Sequence, residues 1–552
     1  MNAPEYDYIV VGAGSAGCAL ANRLSEGGKH TVLLLEAGPN DRHFWIHLPI
    51  GYGKTMFNPT YNWSFNTEPV PALDNRPIYW PRGKTLGGCS SINGLVYIRG
   101  QSQDYDHWQA QGNQGWGWSH VLPYFKKMEC NERGESAYHG GSGPLHVSDL
   151  REPNELVEAF IRGANQIGVP RNDDFNGAQQ EGVGYFQLTT RNGWRCSAAK
   201  AYLKPIRDRK NLTVETGAHA SKVLMIDKRA VGIAYERAGQ SVSARARKEV
   251  LLCAGALQSP QLLQLSGIGP RDVLEQHGID VVHELPGVGR NLQDHLQIRI
   301  MFKCTKPITT NDQLRTLWGQ ALIGMKWAFL RKGPLSVGIQ QGCMFARSRE
   351  EEKTPDIQFH FGTLSADMTA GKPHKWPGFT MSVCQLRPSS RGELRIRSKN
   401  PKDAPWIEPN YLATEEDRQT MVRGFKMARK LAASQAMAGY IAEEYTPGVS
   451  VQTEEDMLNF VRRNGSSIFH PVGTCKMGSG PEAVVDERLR VHGLEGLRVV
   501  DASIMPTLIS GNTNAPAIMI AEKAADMIKE DERYPIARAS STAPVGNPAM
   551  AV

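Results

Sequence analysis

Gly12, Gly14 and Gly17 stand between an apolar run, Tyr8-Ile9-Val10-Val11, and a small-residue stretch, Cys18 to Ser25, that reads as a helix. A second apolar run, Leu33-Leu34-Leu35, then ends on Glu36 and Ala37. A Gly-x-Gly-x-x-Gly turn between strand and helix, with a carboxylate about twenty residues on, sets a pyrophosphate on a helix N-terminus and a ribose hydroxyl on the acid. Gly12 permits the tight turn. Gly14, with Ser15 and Ala16 after it, lets backbone approach the phosphates, and Gly17 lets helix and strand pack closely. The pattern points to a bound dinucleotide and leaves open which one.

A second feature could do proton chemistry. Among fifteen histidines, His470 is followed by Pro471-Val472-Gly473-Thr474, a rigid turn that can aim the ring. An imidazole titrates near neutrality and can take a hydroxyl proton as a general base. The small-residue run Gly87-Gly88-Cys89-Ser90-Ser91 offers backbone N–H groups and hydroxyls to an anionic or flat ligand, or is simply a tight loop.

The elements that must position these residues follow from periodicity. Strands are expected at 212–215, 222–226, 230–235 and 249–253, the last feeding an apolar helix at 259–266. Alternation at 357–361 and 393–397 suits an antiparallel sheet with one exposed face. A buried strand at 497–501 and a helix at 517–529 close the ordered part. Fold class is therefore α/β: a Rossmann-like dinucleotide domain of discontinuous segments (1–155, 201–305, 463–534) with an inserted antiparallel-sheet domain (156–200, 306–462). The irregular stretch 39–100 is expected to run over the ligand, and 535–552 reads as a tail.

At 552 residues the chain exceeds one hydrophobic core, and its formal charge of +7 is too dispersed to suggest a nucleic-acid partner. Nine cysteines without Cys-x-x-Cys spacing argue against a structural zinc or a disulfide framework. They favour a reducing compartment, the cytoplasm. No charged-then-apolar leader precedes the first strand, and no apolar stretch spans a bilayer. Leu317 to Leu330, carrying Trp318, Trp327 and Phe329, is the best candidate for touching a membrane peripherally, although packing against the protein's own body is the preferred reading.

Four further stretches, Gly83–Tyr97, Gly255–Gly269, His470–Gly478 and Val500–Pro516, together with the opening, resemble the glucose-methanol-choline oxidoreductases over nearly the whole chain. Arg82-Gly83-Lys84 and Tyr97-Ile98-Arg99-Gly100 resemble bacterial choline dehydrogenases and, at least as well, membrane-associated alcohol dehydrogenases. The resemblance implies FAD and oxidation of a primary alcohol to an aldehyde, with hydride passing to flavin N5 and electrons to a quinone or other acceptor.

It also assigns residues. The pyrophosphate and isoalloxazine wall is implied at Arg82, Thr85, Gly87, Gly88, Ser90, Asn93, Gly94 and Val96. Adenine contact is implied at the backbone of Val223, and further cofactor contacts at Ala254, Gly255, Asp501, Ala502, Asn512 and Thr513. Ile92 stands where some members tether FAD through a histidine, so the flavin is expected to be non-covalent. His470 is implied as the base, with Asn512 holding the alcohol oxygen and Asn514 as the alternative; either asparagine could instead bond its own turn.

Competing readings are an alcohol or choline oxidase that releases hydrogen peroxide, a choline dehydrogenase, and a hydroxynitrile-lyase-type flavoprotein. A nicotinamide dehydrogenase is disfavoured by Gly87-Gly88 and the C-terminal return to the cofactor. Choline would need a carboxylate or an aromatic cage, so a non-ionic primary alcohol is preferred. Trp318, Trp327, Phe329, Phe345, Phe359 and Phe361 could line an apolar pocket or pack in a core. Oligomeric state stays open.

Overall fold

A computed structural model describes residues 3–367 and 372–534; the expected tail at 535–552 lies outside the described residues. The strands that matter here are, in chain order, β1 (Glu5–Val11), β2 (Val32–Glu36), β3 (Gly182–Tyr185), β4 (Leu212–Thr216), β5 (Ala218–Ile226), β6 (Arg229–Arg237) and β7 (Gln240–Leu252). They continue with β8 (Leu296–Cys304), β9 (Gln340–Ala346), β10 (Ile357–Gly362), β11 (Gly378–Gln385), β12 (Ile441–Thr446), β13 (Ser466–Ser467) and β14 (Leu497–Val499). Four helices bear on the site: α1 (Ser15–Leu24), α2 (Gly255–Leu265), α3 (Leu317–Leu330) and α4 (Asn514–Arg533).

One sheet runs β4-β2-β1-β7-β6-β5, with β14 also pairing β7. Its β4, β2, β1, β7 and β14 pairings are parallel, and β5 and β6 form an antiparallel extension. All five residues of β2 are buried, as expected where helices cover both faces of parallel strands. Helix α1 is clamped to α4 by Arg23, which donates twice to Glu522 at 2.8 Å; the Tyr202 hydroxyl donates to the same carboxylate.

The second sheet, β12-β8-β11-β10-β9-β3 with β13 on β8, is antiparallel throughout. Leu296, Ile298, Ile300 and Phe302 of β8 enter its core while Gln297, Arg299 and Met301 face the other way. Because β8 starts at Leu296, the second portion of this sheet begins ahead of residue 306, and β13 joins it from beyond residue 463. The strand expected at 393–397 forms instead a two-stranded ribbon, Glu393–Arg395 with Trp406–Glu408. Alternation specifies a half-buried strand but not its partner.

Helix α3 departs from the preferred reading. Among its residues only Ile323 is buried, while Leu317, Trp318, Leu322, Met325, Phe329 and Leu330 are exposed. It is tied down along one edge, where the Trp327 indole donates to Gly193 O at 3.0 Å and packs edge-on against Trp194. Phe345, Phe359 and Phe361 are fully buried core residues, and none of the six aromatics lines the cavity described below.

Candidate active site

His470 lies just past β13 in a turn that is held from several sides. Its backbone N–H donates to Asp294 Oδ1 at 2.6 Å, while the Ser467 and Tyr411 hydroxyls donate to Oδ2. The preceding Phe469 has φ +71°, an uncommon and costly conformation for a bulky residue. Ser467 Oγ accepts from Phe469 N at 2.7 Å, and Arg82 Nη2 donates to Phe469 O at 2.6 Å, so the strained turn is fixed at both ends.

The ring's tautomer follows from its partners. The carbonyl of Leu386 can only accept, so His295 Nε2, 2.9 Å away, carries a proton. Burial pulls His295 down to about 4, so it is neutral and its Nδ1 is a bare acceptor. That Nδ1 lies 3.0 Å from His470 Nδ1, which must therefore be the donor. His470 Nε2 is left as a lone pair, and Asn512 Nδ2 lies 3.2 Å from it. Burial, reinforced by His295, His360 and Arg82, holds His470 well below the usual histidine range, so the ring is neutral.

From this pair a cavity of about 960 Å³ runs back to Glu36. At the far end Glu36 is buried and accepts from Ala13 N at 3.1 Å and Gly38 N at 2.9 Å. Burial lifts its carboxyl to about 7 against those two bonds. Midway, Asp501 accepts from Gly255 N at 2.8 Å and Ser259 Oγ at 2.6 Å. The N-termini of α1, α2 and α4 all open on the cavity through Gly14–Ala16, Ala254–Ala256 and Thr513–Asn514. Three helix dipoles and their free N–H groups aimed at one channel suit an elongated anionic ligand. The approach depends on glycine: a Cβ at Gly12 (φ +100°) would sit 2.6 Å from Cys253 O, and one at Gly17 would sit 1.9 Å from Gly12 O.

Sequence comparison decides what that ligand is. The GMC oxidoreductase family models match residues 6–297 and 388–521. The chain is a GMC oxidoreductase. It is 45% identical over 527 residues to the alcohol dehydrogenase [acceptor] of Pseudomonas putida, with 95% of each chain covered. It is 47% identical over 534 residues to mitochondrial choline dehydrogenase of Homo sapiens, covering 95% of this chain and 90% of that one. Pyridoxine 4-oxidase from Mesorbium loti superposes with a TM-score of 0.87 at 32% identity, covering 96% and 99%. The cofactor of this GMC oxidoreductase is FAD, its donors carry a CH–OH group, and the channel ending at Glu36, with three helix N-termini open on it, is where these residues would hold the dinucleotide.

Most residues expected to hold the flavin line the GMC cavity: Gly12, Gly14, Ser15, Ala16, Glu36, Ala37, Arg82, Gly88, Asn93, Gly94, Val96, Ala254, Gly255, Asp501, Ala502, Asn512 and Thr513. Five do not. Gly17 packs behind the turn. Thr85 Oγ1 is spent on Pro39 O, Gly87 N on Ala13 O and Ser90 Oγ on Gly87 O, so these three brace the wall loop instead of facing the ligand. Val223 is buried in β5, does not line the cavity, and has its N–H donated to Ser266 Oγ at 2.8 Å. Ala218, His219 and Ala220, earlier in the same strand, line the cavity in its place. Asn514 Oδ1 accepts from Ser15 Oγ at 2.8 Å, at the end where α1 begins, and Asn512 is the asparagine beside His470.

Sequence reasoning missed the partners across the GMC cavity: His295 behind His470, and Tyr52, Gln297, Arg299, Met301, Gln340 and His360 around the substrate end. One signal was available. Leu296 to Ile300 alternates between apolar residues and Gln297 or Arg299, the mark of a strand whose second face meets something other than core.

Proposed function

We propose that the protein oxidises a primary alcohol to an aldehyde, with His470 Nε2 accepting the hydroxyl proton and Asn512 holding the alcohol oxygen. The acceptor Nε2, fixed by the His295 contact at 3.0 Å and faced by Asn512 Nδ2, is the observation that carries this reading. Bound FAD supplies the hydride acceptor. The chain's own residues do the rest. His470 needs no prior deprotonation because its ring is already neutral. Asn512 can donate to the oxygen as negative charge builds on it, without competing for the proton. The strained, doubly tethered Phe469–His470 turn keeps the base from rotating away. Ile92 lines the cavity and cannot form a histidyl tether, which supports a dissociable flavin.

The test is anaerobic mixing with a primary alcohol, followed at the flavin band. Bleaching is expected, and failure of every alcohol tried would sink the reading. Acid precipitation should release all the flavin into the supernatant. His470→Ala should keep FAD and lose roughly 10²–10⁴-fold in reductive rate.

Transfer of electrons to a quinone or similar acceptor, at a membrane surface, is supported by α3. Its outward side exposes six large apolar residues, while Ile323 and Gln320 on the same helix, and Leu314 just before it, line the cavity wall. Arg315 and Lys332, exposed at its two ends and without ion pairs among the described residues, complement anionic headgroups. The occupant that this patch fits is a lipid surface, which would place the cavity wall beside the layer where an apolar acceptor dissolves. Slow recolouring of the reduced enzyme in air, against rapid recolouring with a soluble quinone, is the expected outcome; fast recolouring with peroxide would make it an oxidase.

A further inference from the structure

The substrate end of the cavity is charged, and the charge is positive. Of the cavity-lining described residues only Glu36 and Asp501 are acidic, and both belong to the dinucleotide channel. Arg299, on the cavity face of β8, has no carboxylate within ion-pair distance among the described residues; its one protein partner is Ser466 Oγ, 3.0 Å from Nη1. Ser466 pairs with Gln297 across the β8–β13 ladder, so the guanidinium reaches back along the strand toward the end where His295 meets His470. Burial pulls it down to about 10, still cationic at neutral pH.

Two neighbours point the same way. His360 lines the cavity at 2% exposure, and neither ring nitrogen has a hydrogen-bond partner among the described residues. A buried imidazole with both nitrogens unsatisfied is costly unless something in the cavity bonds it. The Tyr52 oxygen accepts from Ile339 N at 3.2 Å, which leaves its proton free to donate into the cavity it also lines. An unpaired guanidinium, a free phenol proton and an unsatisfied imidazole together form a receptor for an oxyanion.

We propose that Arg299, with Tyr52 and His360, is an anion-binding subsite, and that the preferred substrate is a short-chain alcohol bearing a carboxylate. Deepening the reading of His470 as the base for alcohol oxidation, and resting on it, the subsite fixes the far end of the molecule while His470 and Asn512 meet the carbinol. It departs from the expectation of a non-ionic alcohol, and it disfavours choline, whose quaternary ammonium would face Arg299 with no carboxylate to receive it.

Anaerobic flavin bleaching of the holoenzyme by γ-hydroxybutyrate, γ-hydroxybutyramide, n-butanol and choline tests it. The carboxylate is expected to half-saturate at a concentration at least about tenfold below that for the isosteric amide, with choline weakest. Arg299→Gln should erase the carboxylate–amide difference, and Arg299→Lys should keep part of it; the flavin-to-protein absorbance ratio checks that each variant is loaded. Equal half-saturation by carboxylate and amide in the parent enzyme, or a carboxylate preference surviving in loaded Arg299→Gln, overturns the subsite and leaves alcohol oxidation standing. The parent comparison decides alone if the variants do not load. If none of the four bleaches and longer neutral alcohols fail too, the alcohol-oxidation reading itself falls.

Discussion

His295 Nδ1 and His470 Nδ1 face each other at 3.0 Å, and only one of the two can hold a proton there. Because Leu386 O claims the proton on His295 Nε2, the shared proton belongs to His470 and its Nε2 points at Asn512 as an acceptor. His295 is thus a positioning residue, acting on the base without touching the alcohol.

Replacing His295 by Phe leaves His470 Nδ1–H buried without an acceptor. Such a group costs about 1–3 kcal/mol, or frees the ring to flip. The reductive rate should fall roughly 10–100-fold with FAD retained. His295→Asn, which offers an amide oxygen, should recover part of it. Equal rates in the Phe variant and the parent would show that the tautomer needs no help.

Burial and the neighbouring cation hold His470 far below an ordinary histidine value. A base with a lowered value keeps its lone pair above that value and loses it only as pH falls through it. The kcat/KM profile should therefore be level through pH 6.5, and its acid limb should lie well below. An acid limb centred near 6.5 would mean that His470 is solvated in the working enzyme.

Stability has its own titration. Burial lowers His139, but hydrogen bonds to Asp174 and Glu129 outweigh it and raise the ring to about 9. A histidine raised in the folded state contributes fully below about 6.5 and is lost as pH rises through 9. On the order of 2 kcal/mol should disappear across that window, read as a falling Tm. His139→Gln should flatten the slope between pH 6.5 and 9; an unchanged slope would assign the loss to other groups.

Leu322 and Phe329 are exposed on α3 and touch neither FAD channel nor base. Changing both to Glu should reduce co-sedimentation with phosphatidylglycerol vesicles more than tenfold, since burying each parent side chain contributes about 1.5–3 kcal/mol. Bleaching by a soluble alcohol should stay as in the parent. Parent protein that stays in the supernatant would refute membrane docking.

Local spacing made the dinucleotide turn legible: Gly12, Gly14, Gly17 and Glu36 act within one βαβ unit, where position along the chain and position in space nearly coincide. His470 was legible from the Pro-Val-Gly-Thr run after it, although the fold aims the ring through Asp294, Arg82 and His295, all distant in sequence. Tertiary structure decided the rest. Val223 gives its N–H to Ser266, 43 residues away. The exposure of α3 could not be read from an apolar helix whose neighbours were unknown. Arg299, His360 and Tyr52 come from β8, β10 and the segment over the cavity, three stretches whose own patterns suit core, sheet or loop. Periodicity tells which face of a strand is polar. Only the folded chain shows that this face meets no carboxylate among the described residues and stands beside a histidine that none of them satisfies, because charge complementarity belongs to a space enclosed by distant segments and not to any one of them.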